Sequence, residues 1–501
     1  MNPAGETGTD AGQGVIVAID QGTSATKAIA LDGAGLLLAS VTVPVGQAHP
    51  RPGWVEQDGT ELLASAREAV QQVVAQVGAP VLGVGISSQR ESALLWDTRT
   101  GEPLGPMLGW QDRRTSAAAA ALADQADLVR ERSGLPLDPM FSALKLAWLL
   151  DEVDPGRVRS ARGEIAAGTV DSWLVYALTG EHRIEIGNAS RTQLLNLASG
   201  TWDPDLLDLF GIPAAVLPQV VASTAPTRAT DLPGAPAVHA VLGDSHAALY
   251  GHGVRAPGQV KVGYGSGSSV MGLSDRAGQI PAGLVGTIAW QLGDVGHQLA
   301  FEGNILSTGS TIAWLSRLLN RPVGELMMLA RSAEPGPVFL VPAFAGLGAP
   351  WWDSGANATL TGFDLGSDAG TLVRAGAEAI AHQVEDVLAA ADAHAPITEI
   401  LADGGPAEDD WLMQLQADIS GRAVRRGGRP SLSACGVGLL AAQQCGLEPP
   451  ATDPGDAFTP TPDRERIHPR RDGWRRAVAQ ARATPSTIAE TLTSRPEEET
   501  L

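Results

Sequence analysis

Two segments rich in glycine and hydroxyl side chains, about 240 residues apart, constrain the fold of this chain more than any other feature. IDQGTSATKAIALD, which starts at Ile19, aligns with VGYGSGSSVMGLSD, which starts at Val262. Each pattern predicts a strand, a tight polar turn and a second strand. Either segment alone is also compatible with an ordinary hairpin turn. Two of them in register predict duplicated lobes that face each other across a cleft.

The same turns predict phosphate binding. Short turns with glycine let backbone N–H groups approach an anion closely, and hydroxyl side chains add further donors. A triphosphate held in a cleft would need one such turn from each lobe, so we call the two turns the first and second phosphate clips. Asp244, at the end of an apolar strand, is expected to face this cleft, because buried Asp is rare unless it is paired. The turn Gly404-Gly405, which follows Asp403, is a third candidate for lining the cleft.

Strands and helices alternate along the chain between two polar ends, 1–13 and 485–501, which we interpret as flexible tails. The apolar runs from Val15 to Ile19 and from Val81 to Ile86 predict buried strands. Apolar residues at helical spacing after Asp58 predict a helix between them. This alternation indicates α/β architecture, and a length of 501 residues favours two or more compact units.

The formal net charge of -21 excludes some classes of partner. Nucleic acids and anionic membranes both attract proteins through basic patches, so neither partner is expected. The two cysteines, Cys435 and Cys445, provide neither a disulfide framework nor a zinc cluster. Because no apolar run reaches the roughly 18 residues of a membrane-spanning helix, we expect a cytoplasmic enzyme.

Eleven motifs in order resemble the FGGY carbohydrate kinases, and most closely the glycerol kinases. They are AIDQGTSATK, PGWVEQD, SSQRES, GWQDRRT, MFSALKLAWLLDE, GTVDSWL, NASRTQLLN, GDSHAALYG, YGSGSS, PAFAGLGAPWWD and DGGPAEDDWLMQ. The resemblance implies an α/β, actin-like (ribonuclease H-like) ATPase fold of two domains, 14–252 and 253–484. It further implies that ATP and Mg²⁺ bind between the domains and that the acceptor is a small polyol or sugar. Relatives often form homodimers or homotetramers, and no sequence feature marks an interface.

The resemblance also implies roles for individual residues. Asp244 would be the catalytic base that takes the proton of the acceptor hydroxyl, and Asp20 and Asp244 would hold magnesium. The nucleotide would contact Gly22, Thr23, Ser24 and Lys27 of the first clip, Gly265 and Ser266 of the second clip, and Gly309, Gly405 and Asp409. Lys27 stands where glycerol kinases usually have Arg, and Asp409 stands where relatives commonly have Asn near adenine.

The predicted acceptor pocket departs from the glycerol kinases at two positions. Arg90 and Glu91 match the polyol contacts of the family, Trp110 matches its aromatic wall, and Asp244 completes the set. Met140 replaces a Tyr and Ser269 replaces a Phe, which predicts a wider and more polar pocket. We therefore expect a four- or five-carbon polyol or ketose as the acceptor, with glycerol as the alternative.

Two alternative functions, a serine esterase and a non-catalytic nucleotide switch, have less support from the sequence. Gly243, Asp244 and Ser245 spell the start of a serine esterase signature with His246 adjacent, but such a nucleophile needs a His that converges with it in space. An actin-like nucleotide switch would share the clips but would have no use for Arg90, Glu91 and Trp110. The P-loop pattern G-x-x-x-x-G-K-[ST] is absent from the sequence.

Overall fold

The two predicted hairpins lie at the centres of two separate β-sheets. The computed structural model describes residues 14–275, 280–393, 395–450, 455–461 and 467–483. The first hairpin joins the antiparallel strands Val15–Gln21 and Ala25–Leu31, and the second joins Gln259–Tyr264 and Ser268–Ser274. The tails predicted at 1–13 and 485–501 lie outside the described residues.

The two sheets share one strand order. From edge to edge, the first sheet contains Leu37–Pro44, Ala25–Leu31, Val15–Gln21, Val81–Ser88, Ala237–Gly243 and Thr227–Arg228. The second contains Val285–Trp290, Gln298–Ile305, Ser268–Ser274, Gln259–Tyr264, Glu399–Asp403, Ala423–Arg426 and Asp456–Phe458. In both sheets the hairpin has a further antiparallel strand on one side and two parallel strands on the other. The predicted duplication is therefore confirmed, and Val285–Trp290 is an extra edge strand of the second sheet.

Short strand pairs and helices connect and cover the two sheets. The pairs are Glu56–Gln57 with Met107–Leu108, Leu94–Asp97 with Ile165–Gly168, Arg183–Glu185 with Gln219–Val221, Leu195–Asn196 with Thr201–Trp202, and Phe339–Val341 with Thr359–Thr361. The α-helices are Gly59–Val77, Ser116–Ala121, Ala126–Ser133, Ser142–Val153, Val158–Ala161, Val170–Thr179, Ile186–Ala189, Pro204–Phe210, Asp244–Gly251, Gly309–Leu319, Val323–Ser332, Ala369–Asp392, Asp410–Ser420, Leu432–Gln444 and Ile467–Ala483. Short 3-10 helices are Ala123–Gln125, Ala214–Val216 and Gly405–Glu408. Within the described ranges, no helix is long and apolar enough to cross a membrane.

The local predictions near the N-terminus are confirmed. Asp58 caps the helix Gly59–Val77 by accepting the N–H of Thr60, which satisfies one of the free donors of the first turn. The predicted strand from Val81 extends to Ser88, two residues further than its apolar run. The extension brings the polar end of this strand to the cleft, where the predicted acceptor residues follow.

One helix from the second half of the chain packs on the first sheet. Leu432–Gln444 contacts the strands Val15–Gln21 and Val81–Ser88 and the helix Asp244–Gly251. Its buried side chains belong to the same apolar cluster as Ile16 and Leu31. The predicted boundary between 252 and 253 falls in the connection between Asp244–Gly251 and Gln259–Tyr264, so it divides the chain but does not separate all of its packing.

Candidate active site

The first phosphate clip connects the two central strands of the first sheet at the cleft. Its turn is formed by Gly22, Thr23 and Ser24. Asp20 and Lys27 are partners across the hairpin, so their side chains leave the same face of the sheet. The ammonium group of Lys27 donates to the hydroxyl of Ser431 at 2.7 Å. A lysine of the first lobe and a serine near the end of the chain thus meet at one wall of the cleft.

The second phosphate clip, Gly265 and Ser266, is exposed at its turn and supported from behind. The N–H of Gly309 donates to the carbonyl oxygen of Gly265 at 3.0 Å, and the Thr308 hydroxyl donates to the same oxygen at 3.0 Å. A Cβ atom on residue 309 would lie 2.6 Å from that oxygen, so no other residue fits without a shift. Gly309 therefore supports the clip through its backbone.

A polar cavity of about 580 Å³ opens beside the first clip. Its lining includes Lys27, Asp244, Lys261, Gly404, Gly405 and Arg429. Gly404 has a φ of +93°, and Gly405 has open space where a side chain would be. Asp244 and this glycine turn line the same cavity.

Asp409 has a structural environment that the sequence did not predict. One carboxylate oxygen accepts the N–H of Leu412 at 3.1 Å and caps the helix Asp410–Ser420, and the other pairs with Arg331 at 2.6 Å. Its neighbour Glu408 lines the cavity. Both oxygens of Asp409 are therefore engaged, and a contact with adenine stays a prediction without geometric support.

Arg90 is the centre of the predicted acceptor end of the cleft. Its Nε donates to Asp244 at 3.1 Å, and its two terminal nitrogens donate to Glu302 at 3.1 and 2.7 Å. Glu302 lies on the second sheet, so this bidentate pair joins the two lobes. Ser269, on a neighbouring strand of the same sheet, donates its hydroxyl to Glu302 at 2.8 Å.

A second buried arginine completes this network. Arg191 donates from Nε to Glu91 at 2.6 Å and lies 2.9 Å from the other oxygen of Glu302. Burial alone would raise the pKa of Glu302, but Arg90 and Arg191 outweigh it and hold that pKa well below its usual range. Glu91 has a φ of +57°, an uncommon conformation for a side chain of its type. The predicted pair Arg90 and Glu91 is thus fixed by two residues that the sequence did not single out.

Lys145 fixes the other side of the acceptor end. Its ammonium group donates to the carbonyl oxygens of Glu91, Gly109 and Met140 at 2.5, 2.9 and 2.7 Å. These carbonyls belong to three separate segments that carry predicted acceptor contacts. Burial lowers the pKa of Lys145 to about 7.

The two predicted wall side chains have different neighbours. Trp110 is 36% exposed and donates its indole N–H to the hydroxyl of Thr23 at 3.1 Å, which links the aromatic wall to the first clip. Met140 packs in a small apolar cluster with Phe141, Val285 and Trp352. The cluster contains side chains from both halves of the chain.

Asp20 and Asp244 provide the donor set that magnesium would need. Burial and then the charge of Asp244 raise the pKa of Asp20 to about 6. Burial also raises the pKa of Asp244, although Arg90 opposes this shift. Two half-buried carboxylates that repel each other suit a divalent cation, and Mg²⁺ commonly takes one or two carboxylates together with phosphate oxygens. In the described part of the chain, no cluster of three or more His, Cys, Asp or Glu side chains could hold a metal ion by itself.

The geometry around Ser245 does not form an esterase triad. His246 is fully buried, and its Nε2 lies 3.2 Å from the hydroxyl of Thr287. Ser245 instead donates its backbone N–H to Asp244. The adjacent histidine is therefore engaged away from the serine.

Three residues of this site were not predicted from the sequence, because only the folded structure brings them next to the predicted residues. Arg191 and Lys145 lie within quoted motifs, and Glu302 is a carboxylate that follows the apolar run Leu299 to Phe301 in its strand. A charged residue in such a strand is rare unless paired, and this was the available signal. Its partners, however, lie in the other lobe.

Comparison with known proteins identifies the family. Residues 15–239 match the N-terminal domain, and residues 260–445 the C-terminal domain, of the FGGY family of carbohydrate kinases. The apulose kinase of Pectobacterium atrosepticum is 41% identical over 94% of this chain and 99% of that protein. The glycerol kinase of Alkalilimnicola ehrlichii is 41% identical over 93% of this chain and 98% of that protein.

A solved structure shares the fold. The crystal structure of Plasmodium falciparum glycerol kinase with ADP superposes with a TM-score of 0.89 at 24% identity, covering 94% of this chain and 99% of that one. At that identity the likeness shows the architecture alone, and it confirms the actin-like, two-lobed fold.

Proposed function

The chain belongs to the FGGY family of carbohydrate kinases, and we propose that it transfers the terminal phosphoryl group of ATP to a four- or five-carbon polyol or ketose. Carbohydrate kinases are phosphotransferases, so family membership excludes both the esterase and the non-catalytic switch. The identity of the acceptor is a finer question, because an apulose kinase and a glycerol kinase are equally similar at 41%.

Ser269 is the observation that carries the acceptor proposal. The resemblance places a Phe of the glycerol kinases at this position. Here a half-buried hydroxyl donates to Glu302 beside Arg90, so an aromatic surface is replaced by a short polar side chain. A pocket that loses a phenyl ring gains both volume and hydrogen-bonding capacity, which suits an acceptor with additional carbons and hydroxyls.

Met140 supports the same conclusion. A flexible thioether stands in the place of the Tyr of the glycerol kinases and packs on the apolar cluster that Trp352 also contacts. The apulose kinase acts, by its name, on a ketose, which agrees with this direction. Glycerol remains the second candidate, and the glycerol kinase relatives favour it.

The side chains have distinct tasks in the proposed reaction. Arg90 and Glu91 hold the hydroxyls of the acceptor, and Asp244 accepts the proton of the attacking hydroxyl as the new phosphorus–oxygen bond forms. Asp20 and Asp244 would hold Mg²⁺, which neutralises phosphate charge when bound. The two clips position the phosphates, since phosphoryl transfer depends mainly on positioning and charge stabilisation.

The test is ADP release from ATP and Mg²⁺ with a panel of glycerol, tetritols, pentitols, tetruloses, pentuloses and apulose. We expect a longer acceptor to have a higher kcat/KM than glycerol. Asp244→Asn should lower kcat by about 10²- to 10⁴-fold while ADP binding, measured by calorimetry, remains. The double variant Met140→Tyr, Ser269→Phe should shift the preference towards glycerol.

Two results would contradict parts of the proposal separately. If glycerol were the best acceptor of the wild type, the wider pocket inferred from Met140 and Ser269 would be refuted, but the kinase mechanism would not. Full turnover by the Asp244→Asn variant would refute the role of Asp244.

A further inference from the structure

The chain contains three lysines and 32 arginines, and two of the lysines, Lys27 and Lys261, line the cavity beside the first clip. Lys27 lines the cavity beside the first clip, and Lys145 holds the segments behind the acceptor. Lys261 has no role in the function proposed above. An ammonium group is a compact point charge, whereas guanidinium is a wide planar fork. In a chain that otherwise uses arginine, each lysine indicates a place where a small cation is required.

Lys261 presents a buried charge to the cavity. It lies on the central strand Gln259–Tyr264 of the second sheet, is only 4% exposed and lines the same cavity as Lys27 and Asp244. Among the residues that the structure describes, none forms a hydrogen bond or an ion pair with its ammonium group, although the carboxylates of Asp244 and Asp403 line the same cavity and attract it. A buried cation is costly unless it is paired. An unpaired cation in the wall of a cavity points to an anionic ligand.

Gly263 gives this ammonium group its route to the cavity. Residues 261 and 263 lie on the same face of the strand. A Cβ atom on residue 263 would lie 3.1 Å from Nζ of Lys261 and 3.2 Å from Asp403 Oδ1. In the duplicated hairpins, Gly263 aligns with Asp20. At this position the first lobe has the carboxylate of Asp20. The second lobe has Gly263, which has no side chain and leaves space for the ammonium group of Lys261.

The position of Lys261 specifies which anion it would meet. Lys261 attracts the carboxylates of Asp244 and Asp403, whereas Lys27 attracts that of Asp20. If Asp244 takes the proton of the acceptor hydroxyl, the phosphorus atom under attack must lie beside it. Of the two cavity lysines, Lys261 is therefore the one near the transferred group.

We propose that Lys261 binds the phosphoryl group that is transferred and neutralises the charge on its oxygens. The inference rests on the proposed ATP-dependent reaction. The acceptor oxygen forms a bond to the terminal phosphorus, the bond to the ADP oxygen breaks with its electron pair on ADP, and the acceptor proton passes to Asp244. Lys261 keeps its protons throughout and acts only through its charge and hydrogen bonds.

The test compares Lys261→Met with the wild type as full-length proteins. With the best acceptor, kcat should fall by about 10²- to 10³-fold, as for the loss of one donor to a developing oxyanion, while the acceptor KM stays within about threefold. Calorimetry in Mg²⁺ should show weaker binding of ATP and unchanged binding of AMP. The melting temperature should not fall, because the substitution removes an unpaired buried charge.

Two further variants test charge and space. Lys261→Arg keeps the charge and should recover part of the lost kcat. Gly263→Ala keeps Lys261 itself but obstructs its ammonium group, so kcat should fall by about tenfold for a misplaced group without a loss of AMP binding.

The proposal would be overturned if Lys261→Met kept kcat within threefold of the wild type. It would also be overturned by an equal loss of affinity for AMP and ATP together with a lower melting temperature, which is the pattern of a structural residue. A wild type that bound ATP but turned over no acceptor would contradict the acceptor proposal alone. In that case the comparison of ATP with AMP still tests Lys261, because it needs no acceptor.

Discussion

The proposed acceptor end and the proposed nucleotide end of the cleft differ in how their buried charges are paired. At the acceptor end, Arg90 and Arg191 share Glu302, and every one of these three charges has a partner within 3.1 Å. At the nucleotide end, the lining of a cavity of about 580 Å³ has four cations and three carboxylates, and one of the cations is Lys261, which has no hydrogen bond or ion pair among the described residues. At the first end the charges are paired before any ligand binds, although both terminal nitrogens of Arg191 lack a hydrogen bond, whereas at the second end Lys261 is available to an anionic ligand.

This difference follows from the ligands that each end is proposed to bind. A polyol is neutral, so it adds no charge to balance, and its recognition depends on donors and acceptors held in fixed positions. A nucleotide carries negative charge, so a site whose cations were all paired would attract it only weakly. Pre-organisation at one end and unbalanced charge at the other are therefore two solutions suited to two kinds of substrate.

The largest expected effect is a loss of stability when the charge pairing at the proposed acceptor end is removed. Glu302→Gln leaves Arg90 and Arg191 without their shared carboxylate, and removing one partner of a buried pair typically costs about 3–5 kcal/mol. We expect a loss of that size in the free energy of unfolding, measured by denaturant titration, together with a raised KM for the acceptor.

An exposed ion pair provides the control for this variant. Arg67 and Asp231 pair on the surface with nearly half of each side chain exposed. Asp231→Asn should change the unfolding free energy by less than about 1 kcal/mol. If both variants lost the same amount, the contrast between a buried network and surface charge would be refuted.

An intermediate effect is expected from Lys145→Met, which removes the support behind three acceptor segments. The acceptor KM should rise about tenfold, which corresponds to about 1.4 kcal/mol, while the Kd of ADP stays within about twofold. Steady-state kinetics and calorimetry measure the two quantities. An equal loss at both ends of the cleft would show that Lys145 holds the whole fold rather than the acceptor site.

The pH dependence gives Lys145 a second readout. Its pKa is lowered to about 7 in the folded protein, so the ammonium form is present below pH 7 and is lost above it. A neutral amine has two N–H donors for three carbonyl oxygens. The acceptor KM of the wild type should therefore rise above pH 7, and this rise should be absent in Lys145→Met.

The smallest expected effect is that of salt concentration, which should change the Kd of ADP more than the acceptor KM. Screening lengths shrink from about 10 Å at 0.1 M to about 3 Å at 1 M salt, and buried pairs are screened much less than accessible charges. Over that range we expect the Kd of ADP to rise about three- to tenfold and the acceptor KM to change less than twofold. Equal salt dependence of both constants would contradict the comparison.

The parts of the molecule that sequence predicts are those with local causes. The two clips are visible because glycine and hydroxyl residues specify tight turns within a few positions, and Asp58 caps its helix two residues away. Glu302 could not be assigned in the same way, because its partner Arg90 is 212 residues distant in the chain. For Asp409 the family resemblance predicted a place near adenine, but in the structure its side chain caps a helix and pairs with Arg331.

The helix Leu432–Gln444 has a consequence for how the protein is made. The strands of the first sheet leave the ribosome early, but the helix that covers one of their faces is synthesised only after more than four hundred residues. Ile16 and Leu31 must wait for it with part of their apolar surface uncovered. We therefore expect folding of the first lobe to be completed only after most of the chain has been translated, with this apolar face exposed until then.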